Sequence, residues 1–337
     1  MFARTSKIDH PLGVSVETPL LVPSFSSKGL GVNPDGESEV KEIFSVVSEY
    51  LTDTMLISAF DLSYGHLAPI QSAITEITFI DSGGYEISDF YDLSAIYREQ
   101  ISRSEVRDNW TEEKLHEIYK EWPEHIPAVF VNYDHPDRHL SLGEQINNAK
   151  RFFSQHPNQL HTLLIKPETD KQQYIQVNNV KASVEELKRF DIIGLTEKEL
   201  GNKIIQRMEN IASIRLAMDD AGVNKPLHIY GSLDPLTSVL YFLSGAEIFD
   251  GLTWLRYGYS DGMACYPHNY GVKNIGIKYR DSFIKAKTMR DNLSYLSTLT
   301  DQMRRFLLDE EFEKFGNNSK VLRDGYELLR TKNPRIK

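Results

Sequence analysis

Residues 77–85 read ITFIDSGGY, an apolar run that ends at an acid and continues into a serine, two glycines and a tyrosine. A continuous apolar run of this kind is typical of a strand buried on both faces of a parallel sheet. The Ser82-Gly83-Gly84 segment is typical of a strand-to-helix turn, with Asp81 capping the next helix. Alternatively, Asp81 is a working carboxylate, and the glycines let a ligand lie against bare backbone. The pattern predicts a strand and a turn, and it leaves the role of the acid open.

Similar apolar runs recur along the chain, and helical patterns separate most of them. The predicted strands are PLLVPSF (19–25), MLISAF (55–60), ITFID (77–81), AVFVNYD (128–134), HTLLIK (161–166), FDIIGL (190–195), PLHIYG (226–231) and AEIFDGL (246–252). The predicted helices are 37–51, 90–121, 141–156, 171–189, 197–221 and 234–245. Strand–helix alternation with this many strands predicts an α/β fold, a (β/α)8 TIM barrel. A doubly wound open sheet is the alternative, because counting strands does not establish closure.

The chain of 337 residues is long enough for one barrel with an extension. After the eighth predicted strand comes a loop rich in glycine and tyrosine, and then a long helical pattern over residues 280–316. Its apolar side chains have helix-like spacing, which predicts a helix hairpin that faces the core. We therefore predict a catalytic barrel at residues 1–275 and a C-terminal helical region at 276–337 packed on it.

Composition limits the class of protein. The hydrophobic content of 40% and the charged content of 26% are typical of a soluble globular chain. The first residues lack the apolar core of a secretory signal, and no apolar run has the length of a membrane span. Cys265 is the single cysteine, which excludes an intrachain disulfide and a multi-cysteine zinc cluster. A cytoplasmic protein with no bound metal and no membrane partner is expected.

Charge is distributed unevenly along the chain, whose net charge is −10. Residues 31–140 contain 7 bases and 22 acids, a local charge of −15, whereas residues 271–337 contain 15 bases and 9 acids, a local charge of +6. Such an asymmetry can give an acidic protein a basic face that binds nucleic acid. A solvated pair of C-terminal helices is the simpler alternative.

Acids follow several of the predicted strands: Asp81 the third, Asp134 the fourth and Asp250 the eighth. In a parallel barrel these carboxyl ends meet at one mouth, where the chemistry of such enzymes takes place. Like charges crowded together cost free energy unless a substrate or a proton is shared among them. A pair of carboxylates suits glycosidic chemistry, in which one attacks the anomeric carbon and the other handles the proton of the leaving group.

The chain resembles the tRNA-guanine transglycosylases and their relatives that exchange guanine in DNA. The residues that carry the resemblance are DSGGY at 81–85, a strand ending in Asp134, Gly194-Leu195, and FD at 249–250 followed by Arg256. Two flanking stretches also match the family, TPLLVPSFSSKG near the first strand and NLSYLSTLTDQMRRFLLDEEFEKF in the C-terminal region. Together the matching stretches span most of the chain in the family's order.

The resemblance implies a TIM barrel and a division of roles at its mouth. Asp250 would attack C1′ and expel guanine, which leaves a covalent glycosyl-enzyme, and Asp81 would be the general acid and base. Asp134 would bind the Watson–Crick edge of the purine, and Tyr85 would stack on the base. The remaining predicted substrate-binding residues are Ser82, Gly83, Gly84, Lys166, Gly194, Leu195 and Arg256. A 7-deazaguanine would then attack the same carbon, and no cofactor is implied.

Departures from the family pattern bear on the substrate. The tRNA enzymes carry a zinc site with several cysteines and a histidine after the eighth strand, where this chain has only Cys265 and His268. Lys166 stands near the position of a family glutamine. In lacking this zinc site the chain resembles the DNA-modifying branch of the family, so DNA is the favoured partner. The sequence leaves open whether the protein forms a homodimer or works with accessory proteins. The alternatives are the same exchange on tRNA or another RNA, a catalytically silent member that binds nucleic acid or a partner protein, and an unrelated barrel hydrolase.

Overall fold

Eight parallel strands close into a barrel in a computed structural model of the chain, which describes residues 2–31, 36–88, 109–333 and 335. A short antiparallel ribbon, β1 (Lys7–Asp9) with β2 (Ser15–Glu17), precedes the barrel. The barrel strands are β3 (Leu20–Phe25), β4 (Thr54–Ser58), β5 (Ile77–Asp81), β6 (Ala128–Val131), β7 (Leu160–Ile165), β8 (Ile192–Thr196), β9 (Leu227–Tyr230) and β10 (Ile248–Gly251). A second ribbon, β11 (Gly258–Ser260) with β12 (Met263–Cys265), follows.

Pairing of the last barrel strand with the first closes the sheet, with Asp250 beside Val22 in the parallel register. The eight predicted strands and the closed α/β barrel are therefore confirmed, and the open-sheet alternative is wrong. Several strand ends differ from the prediction by one to three residues, and the largest difference is at β6, which stops at Val131, three residues before Asp134. The next residue is Asn132, whose side-chain Oδ1 accepts a hydrogen bond of 2.6 Å from the backbone N–H of Leu164 on β7. Asp134 therefore lies in a loop beyond the strand.

Helices surround the barrel, and further helices follow it. They are α1 (Glu39–Val47), α2 (Ala59–Ser63), α3 (Gly84–Ile87), α4 (Glu112–Glu121), α5 (Leu142–Phe153), α6 (Val177–Ala182), α7 (Val184–Leu187), α8 (Ile204–Asp220), α9 (Thr237–Leu243), α10 (Thr253–Arg256), α11 (Pro267–Asn274), α12 (Asp281–Asp309) and α13 (Ser319–Lys332). Short 3₁₀ turns occupy Ser48–Tyr50, Glu197–Leu200 and Phe312–Asn318.

The predicted helix 90–121 lies partly outside the described residues. In the part that the structure describes, residues 109–121, the helix covers Glu112–Glu121. The single helix predicted at 171–189 is wrong, because two short helices occupy only its later part. The backbone N–H of Ile175 donates instead to the carbonyl of Glu199 at 3.0 Å, which ties this segment to the next βα loop.

Alternation along the strands divides the core into two layers, because successive side chains of a strand point to opposite faces. Val22, Phe79 and Ile248 pack inside the barrel, whereas Ile80 and Phe249 pack outward in the cluster that includes the surrounding helices. The acids that follow Ile80 and Phe249 consequently return to the inner face at the mouth.

The C-terminal helices pack on this framework. Helix α12 buries Leu293, Leu296, Leu299, Met303 and Phe306 in the same apolar cluster as the outward face of the barrel. A barrel with a C-terminal helical extension is thus observed, while the boundary between residues 275 and 276 stays a prediction. Among the described residues, no helix has both the length and the apolar character needed to cross a membrane.

Candidate active site

A cavity of about 770 Å³ opens at the carboxyl ends of the barrel strands. We call it the mouth cavity; the predicted site residues in its wall are Asp81, Gly84, Tyr85, Asp134, Lys166, Asp250 and Arg256. Its volume lies within the range of small-molecule sites, roughly 300–1,000 Å³. Folding therefore brings together acids that are up to 169 positions apart in the sequence, Asp81 and Asp250 among them.

Asp250 lies at the end of β10 with its side chain almost fully buried. Its Oδ2 accepts a hydrogen bond of 2.8 Å from the Ser24 hydroxyl, and its Oδ1 lies 3.0 Å from Nε2 of His228. The backbone N–H of Gly231 also points at Oδ1, at 3.4 Å. Hydrogen bonds of this kind stabilise a negative carboxylate and fix its orientation.

The side chain of His228, which the sequence analysis missed, is fully buried on β9. Its ring stacks on Tyr230 with centroids 3.8 Å apart and meets Phe79 edge to face at 5.4 Å. We assign the ring hydrogen to Nε2 because the facing oxygen of Asp250 is an acceptor. The alternation in LHIY was the available signal, since it places this histidine on the same inner face as Tyr230.

Asp81 is buried at the end of β5, and burial raises the pKa of its carboxyl well above the ordinary value of 3.8. The carboxylates of Asp134, Glu86 and Asp250 raise this pKa further, in that order of importance. A weak backbone hydrogen bond from Gly83, 3.4 Å from Oδ2, acts in the opposite direction. The surroundings of Asp81 therefore favour its protonated form.

Glu86 is a second buried acid that the sequence analysis missed. Its two oxygens accept hydrogen bonds from the hydroxyls of Ser26, at 2.5 Å, and Ser58, at 2.9 Å. Helix α3 directs this side chain toward the wall of the mouth cavity beside Asp81. Its negative charge is one of the causes that raise the pKa of the Asp81 carboxyl.

Close packing around the turn after β5 leaves no room for side chains at its two glycines. Gly83 has φ +88°, and a Cβ on it would lie 2.8 Å from Phe60 and 2.9 Å from the Trp110 indole nitrogen. A Cβ on Gly84 would lie 2.4 Å from Oδ1 of Asp134. The alternative of Asp81 as a helix cap is not realised, because Gly83 is the N-cap of α3 and no side chain caps it.

Two further contacts hold this turn in place. The Ser82 hydroxyl donates to Oδ1 of Asp134, and the Trp110 indole donates to the Ser82 carbonyl at 2.9 Å. Ser82 itself is fully buried and, like Gly83, is not part of the cavity wall. Ser82 thus acts on the cavity through Asp134, whose carboxylate it orients.

Lys166 links two acids of the cavity. Its ammonium lies 2.8 Å from Glu199 and 3.7 Å from Asp134, and it donates to the Thr196 hydroxyl at 3.3 Å. Burial lowers the pKa of Lys166, but Glu199 and Asp134 outweigh it and raise the pKa overall. Burial lowers the pKa of the neighbouring Lys198 to about 8. Asp134 and Lys166 thus present an acceptor and a donor side by side.

Tyr85 and Arg256 contact each other in the wall of the cavity. A guanidinium nitrogen of Arg256 lies 3.3 Å from the Tyr85 hydroxyl and donates to the Lys28 carbonyl at 3.0 Å. The Lys28 ammonium lies 4.4 Å from the centroid of the Tyr85 ring. These contacts hold the aromatic ring in the cavity wall.

Gly194 and Leu195 are not part of the cavity wall. A Cβ on Gly194 would lie 2.8 Å from the ring of Tyr230, so this glycine makes room for an aromatic side chain that does line the cavity. Leu195 is fully buried in the outer apolar layer. The backbone contacts of these two residues with a base stay a prediction.

Within the described ranges, no group of three or more His, Cys, Asp or Glu side chains is arranged to hold a metal ion. Cys265 ends β12, and the ring of His268 stacks on Tyr266 with centroids 5.5 Å apart. Comparison with models of known protein families and with curated proteins found no match to the chain. The function is therefore argued from the chemistry of the cavity.

Proposed function

We propose that this protein is a base-exchange transglycosylase that replaces guanine in a nucleic acid, with DNA favoured, by a 7-deazaguanine. The supporting observation is the pair Asp81 and Asp250 in one cavity, in environments that differ. Asp81 is buried among carboxylates that raise its pKa, whereas Asp250 accepts hydrogen bonds from the Ser24 hydroxyl and the His228 ring. Carboxyl groups with such contrasting surroundings suit the roles of acid and nucleophile.

The proposed reaction has two displacements at C1′. Asp250 attacks C1′ and forms a glycosyl ester, the bond from C1′ to N9 breaks with its electron pair moving to guanine, and Asp81 gives its proton to the departing base. The ionised Asp81 then removes a proton from the incoming 7-deazaguanine, whose N9 attacks C1′ and releases the Asp250 carboxylate. Two inversions leave the configuration at C1′ unchanged.

Recognition of the base is assigned to Asp134 and Lys166. Guanine presents N–H donors and a carbonyl acceptor along one edge, and the carboxylate and ammonium 3.7 Å apart offer the complementary groups. The Tyr85 ring in the cavity wall suits stacking against a base that has left the duplex. A cytoplasmic location and the preference for DNA over tRNA both stay predictions, the latter based on the resemblance to the DNA-modifying branch.

The proposal is tested by incubating the protein with labelled guanine and, separately, duplex DNA, single-stranded DNA and tRNA. We expect label to enter DNA and Asp250→Asn to abolish the incorporation, because an amide does not replace the attacking carboxylate. The matched control is Asp324→Asn, which makes the same chemical change at an exposed position on α13 and should leave the rate unchanged.

The intermediate provides an independent measurement. Protein mixed with DNA and denatured without free base should carry a covalent sugar adduct on Asp250, detected by mass after nuclease digestion. Labelling of tRNA alone would support the RNA alternative, and labelling of no polymer would reject base exchange. A fully active Asp250→Asn variant would show that another residue is the nucleophile.

A further inference from the structure

We infer that His228 is a positioning residue that holds one oxygen of Asp250 through its ring N–H, so that the other oxygen attacks, and that stabilises this carboxylate when it leaves the sugar. The inference rests on the proposed function, because it assigns a role in the same reaction. It concerns a buried histidine that touches the nucleophile and lies just behind the cavity wall.

The two oxygens of Asp250 have different partners, which come from the strands on either side. Strand β3 supplies the Ser24 hydroxyl to Oδ2 at 2.8 Å. Strand β9 and the residue after it supply Nε2 of His228 to Oδ1 at 3.0 Å and the Gly231 N–H at 3.4 Å. Ser24 lines the mouth cavity but His228 does not, so Oδ2 is the oxygen bonded on the cavity side.

The surroundings of the imidazole leave it little freedom. It is fully buried between the rings of Tyr230 and Phe79, and its Nδ1 has no hydrogen-bond partner among the described residues. A buried polar ring costs free energy unless it is hydrogen-bonded, and here its side-chain hydrogen bond goes to Asp250. The ring is therefore held by stacking in the position from which Nε2–H reaches Oδ1.

The negative charge on Oδ1, and with it the strength of this hydrogen bond, changes during the proposed reaction. When Oδ2 bonds to C1′, Oδ1 becomes the carbonyl oxygen of the ester and loses most of its negative charge. In the second displacement the bond between C1′ and Oδ2 breaks, its electron pair returns to the carboxylate, and the charge spreads onto Oδ1. A donor fixed at the atom where charge develops lowers the barrier of that step.

Loss of the donor should consequently favour the ester over the free carboxylate. In His228→Phe the stacked ring is kept but the N–H is removed, so the second displacement slows and the covalent adduct accumulates. General damage to the cavity would have the opposite effect on the adduct, because it would slow the attack by Asp250 as well. The fraction of adduct thus separates positioning from a purely structural role.

The experiment compares wild type, His228→Phe and His228→Gln for guanine turnover and for the steady-state fraction of protein carrying the sugar adduct. We expect His228→Phe to lower turnover about 100-fold, a typical effect of removing one such donor, and to raise the adduct fraction. The Gln side chain keeps an N–H at similar reach and should restore both values toward wild type. His161→Phe, a change of a stacked histidine on β7 outside the cavity wall, is the matched control.

His228→Asn provides a second test if the Phe variant does not fold, because its amide is too short to reach Oδ1 and should behave as a loss of the donor. Wild-type turnover and adduct fraction in a folded Phe or Asn variant would overturn the inference. A lower adduct fraction that Gln does not restore would also overturn it. Failure of the proposed function is distinguishable, because the wild-type protein itself would then exchange no base.

Discussion

Individual residues of the turn after β5 are constrained by what they touch. Gly83 takes a left-handed φ of +88° against Trp110, and Gly84 lies against the carboxylate of Asp134. The two glycines thus have different physical reasons to be glycine. The first is required by the backbone conformation and packing, and the second by the position of an acid in the cavity.

Gly84→Ala should reduce activity more than stability. The new Cβ would lie 2.4 Å from Oδ1 of Asp134, and the carboxylate at the end of that side chain can move away at little cost to the fold. We expect the KM for the base to rise at least tenfold while the unfolding midpoint in urea changes little.

Gly143→Ala is the control for that substitution, because nothing lies within 4 Å of the position that its Cβ would occupy. It sits in helix α5, where alanine is favoured over glycine by roughly 0.5–1 kcal/mol. Unchanged kinetics are expected for this variant. An equal change of KM in both variants would contradict the assigned contact between Gly84 and Asp134.

Asp81→Asn should change the pH dependence of stability. The pKa of Asp81 is raised in the folded protein. Its contribution to the free energy of unfolding is therefore fully present below the unfolded pKa near 3.8 and is lost as pH rises through the folded pKa. Asparagine cannot ionise. The difference in unfolding free energy between variant and wild type should therefore grow in favour of the variant as pH rises.

Urea denaturation of both proteins at a series of pH values measures this difference, with exposed Asp324→Asn as the control that should show no such trend. The Asp81 variant should also lack exchange activity at every pH, because it has no proton to give. A difference in stability that is constant with pH would argue against a buried, protonated Asp81.

At the level of elements, a buried ion pair joins helix α8 to the loop before β10. Arg215 and Glu247 are both fully buried, with a nitrogen-to-oxygen distance of 2.6 Å. The guanidinium also donates to the carbonyls of Gly245 and Lys225, each at 3.1 Å. Burial lowers the pKa of Arg215 to about 10, and Glu247 opposes that change. The pair thus anchors the strand that carries Asp250.

Arg215→Met should destabilise the protein by about 3–5 kcal/mol, because it leaves the Glu247 carboxylate buried without its partner. The double variant Arg215→Met with Glu247→Leu should recover much of the loss, since neither charge then remains. Chemical denaturation of the single and double variants measures both effects.

Arg330→Met serves as the control for that pair, because its ion pair with Glu327 is exposed on α13 and should contribute little. Equal effects of Arg215→Met and Arg330→Met would contradict the importance of burial. A double variant no more stable than the single one would show that Glu247 is not the source of the loss.

Across the whole molecule, the barrel and the C-terminal helices share one apolar cluster. Phe306 of α12 is fully buried and contacts Phe242 of α9, with ring centroids 6.4 Å apart, as well as Phe312 and Phe315. Because the core is continuous across both regions, we expect them to unfold together. The predicted regions 1–275 and 276–337 should therefore not unfold separately.

Phe306→Ala tests that expectation, with a predicted loss of about 3–5 kcal/mol for a buried phenylalanine. Far-ultraviolet circular dichroism and the fluorescence of the three buried tryptophans, Trp110, Trp122 and Trp254, should report one coincident transition. Leu308→Ala, an exposed position on the same helix, should change stability by less than about 0.5 kcal/mol. An early transition seen in circular dichroism alone would show that the helices are an independent unit.

The basic C-terminal region is partly neutralised by acids in three dimensions. Lys285 lies 3.5 Å from Glu39 of α1, and Lys287 and Arg290 lie 2.8 Å and 3.6 Å from Asp291. A sequence count of +6 therefore overstates the positive charge that these side chains offer to a nucleic acid. Binding of nucleic acid through this surface stays a prediction.

The strands, their order and the α/β class follow from the sequence, because apolar runs of strand length separated by helical patterns leave few stable arrangements. The acids at the strand ends could also be predicted, since parallel strands deliver their carboxyl ends to one mouth. The end of β6 at Val131 was not predictable, because it coincides with a contact between residues that are distant in the sequence, in which the backbone N–H of Leu164 donates to the side-chain Oδ1 of Asn132.

Only the tertiary structure decided the burial, the hydrogen bonds and the charged neighbours of each acid. The hydrogen bonds of His228 and Ser24 with Asp250, and the effect of the Asp134 carboxylate on the pKa of Asp81, join residues that are distant in the sequence or hidden within an ordinary strand pattern. Protonation and hydrogen bonding depend on burial and on distances of a few ångströms across the barrel. Neighbours along the chain carry no information about those distances until the sheet has closed.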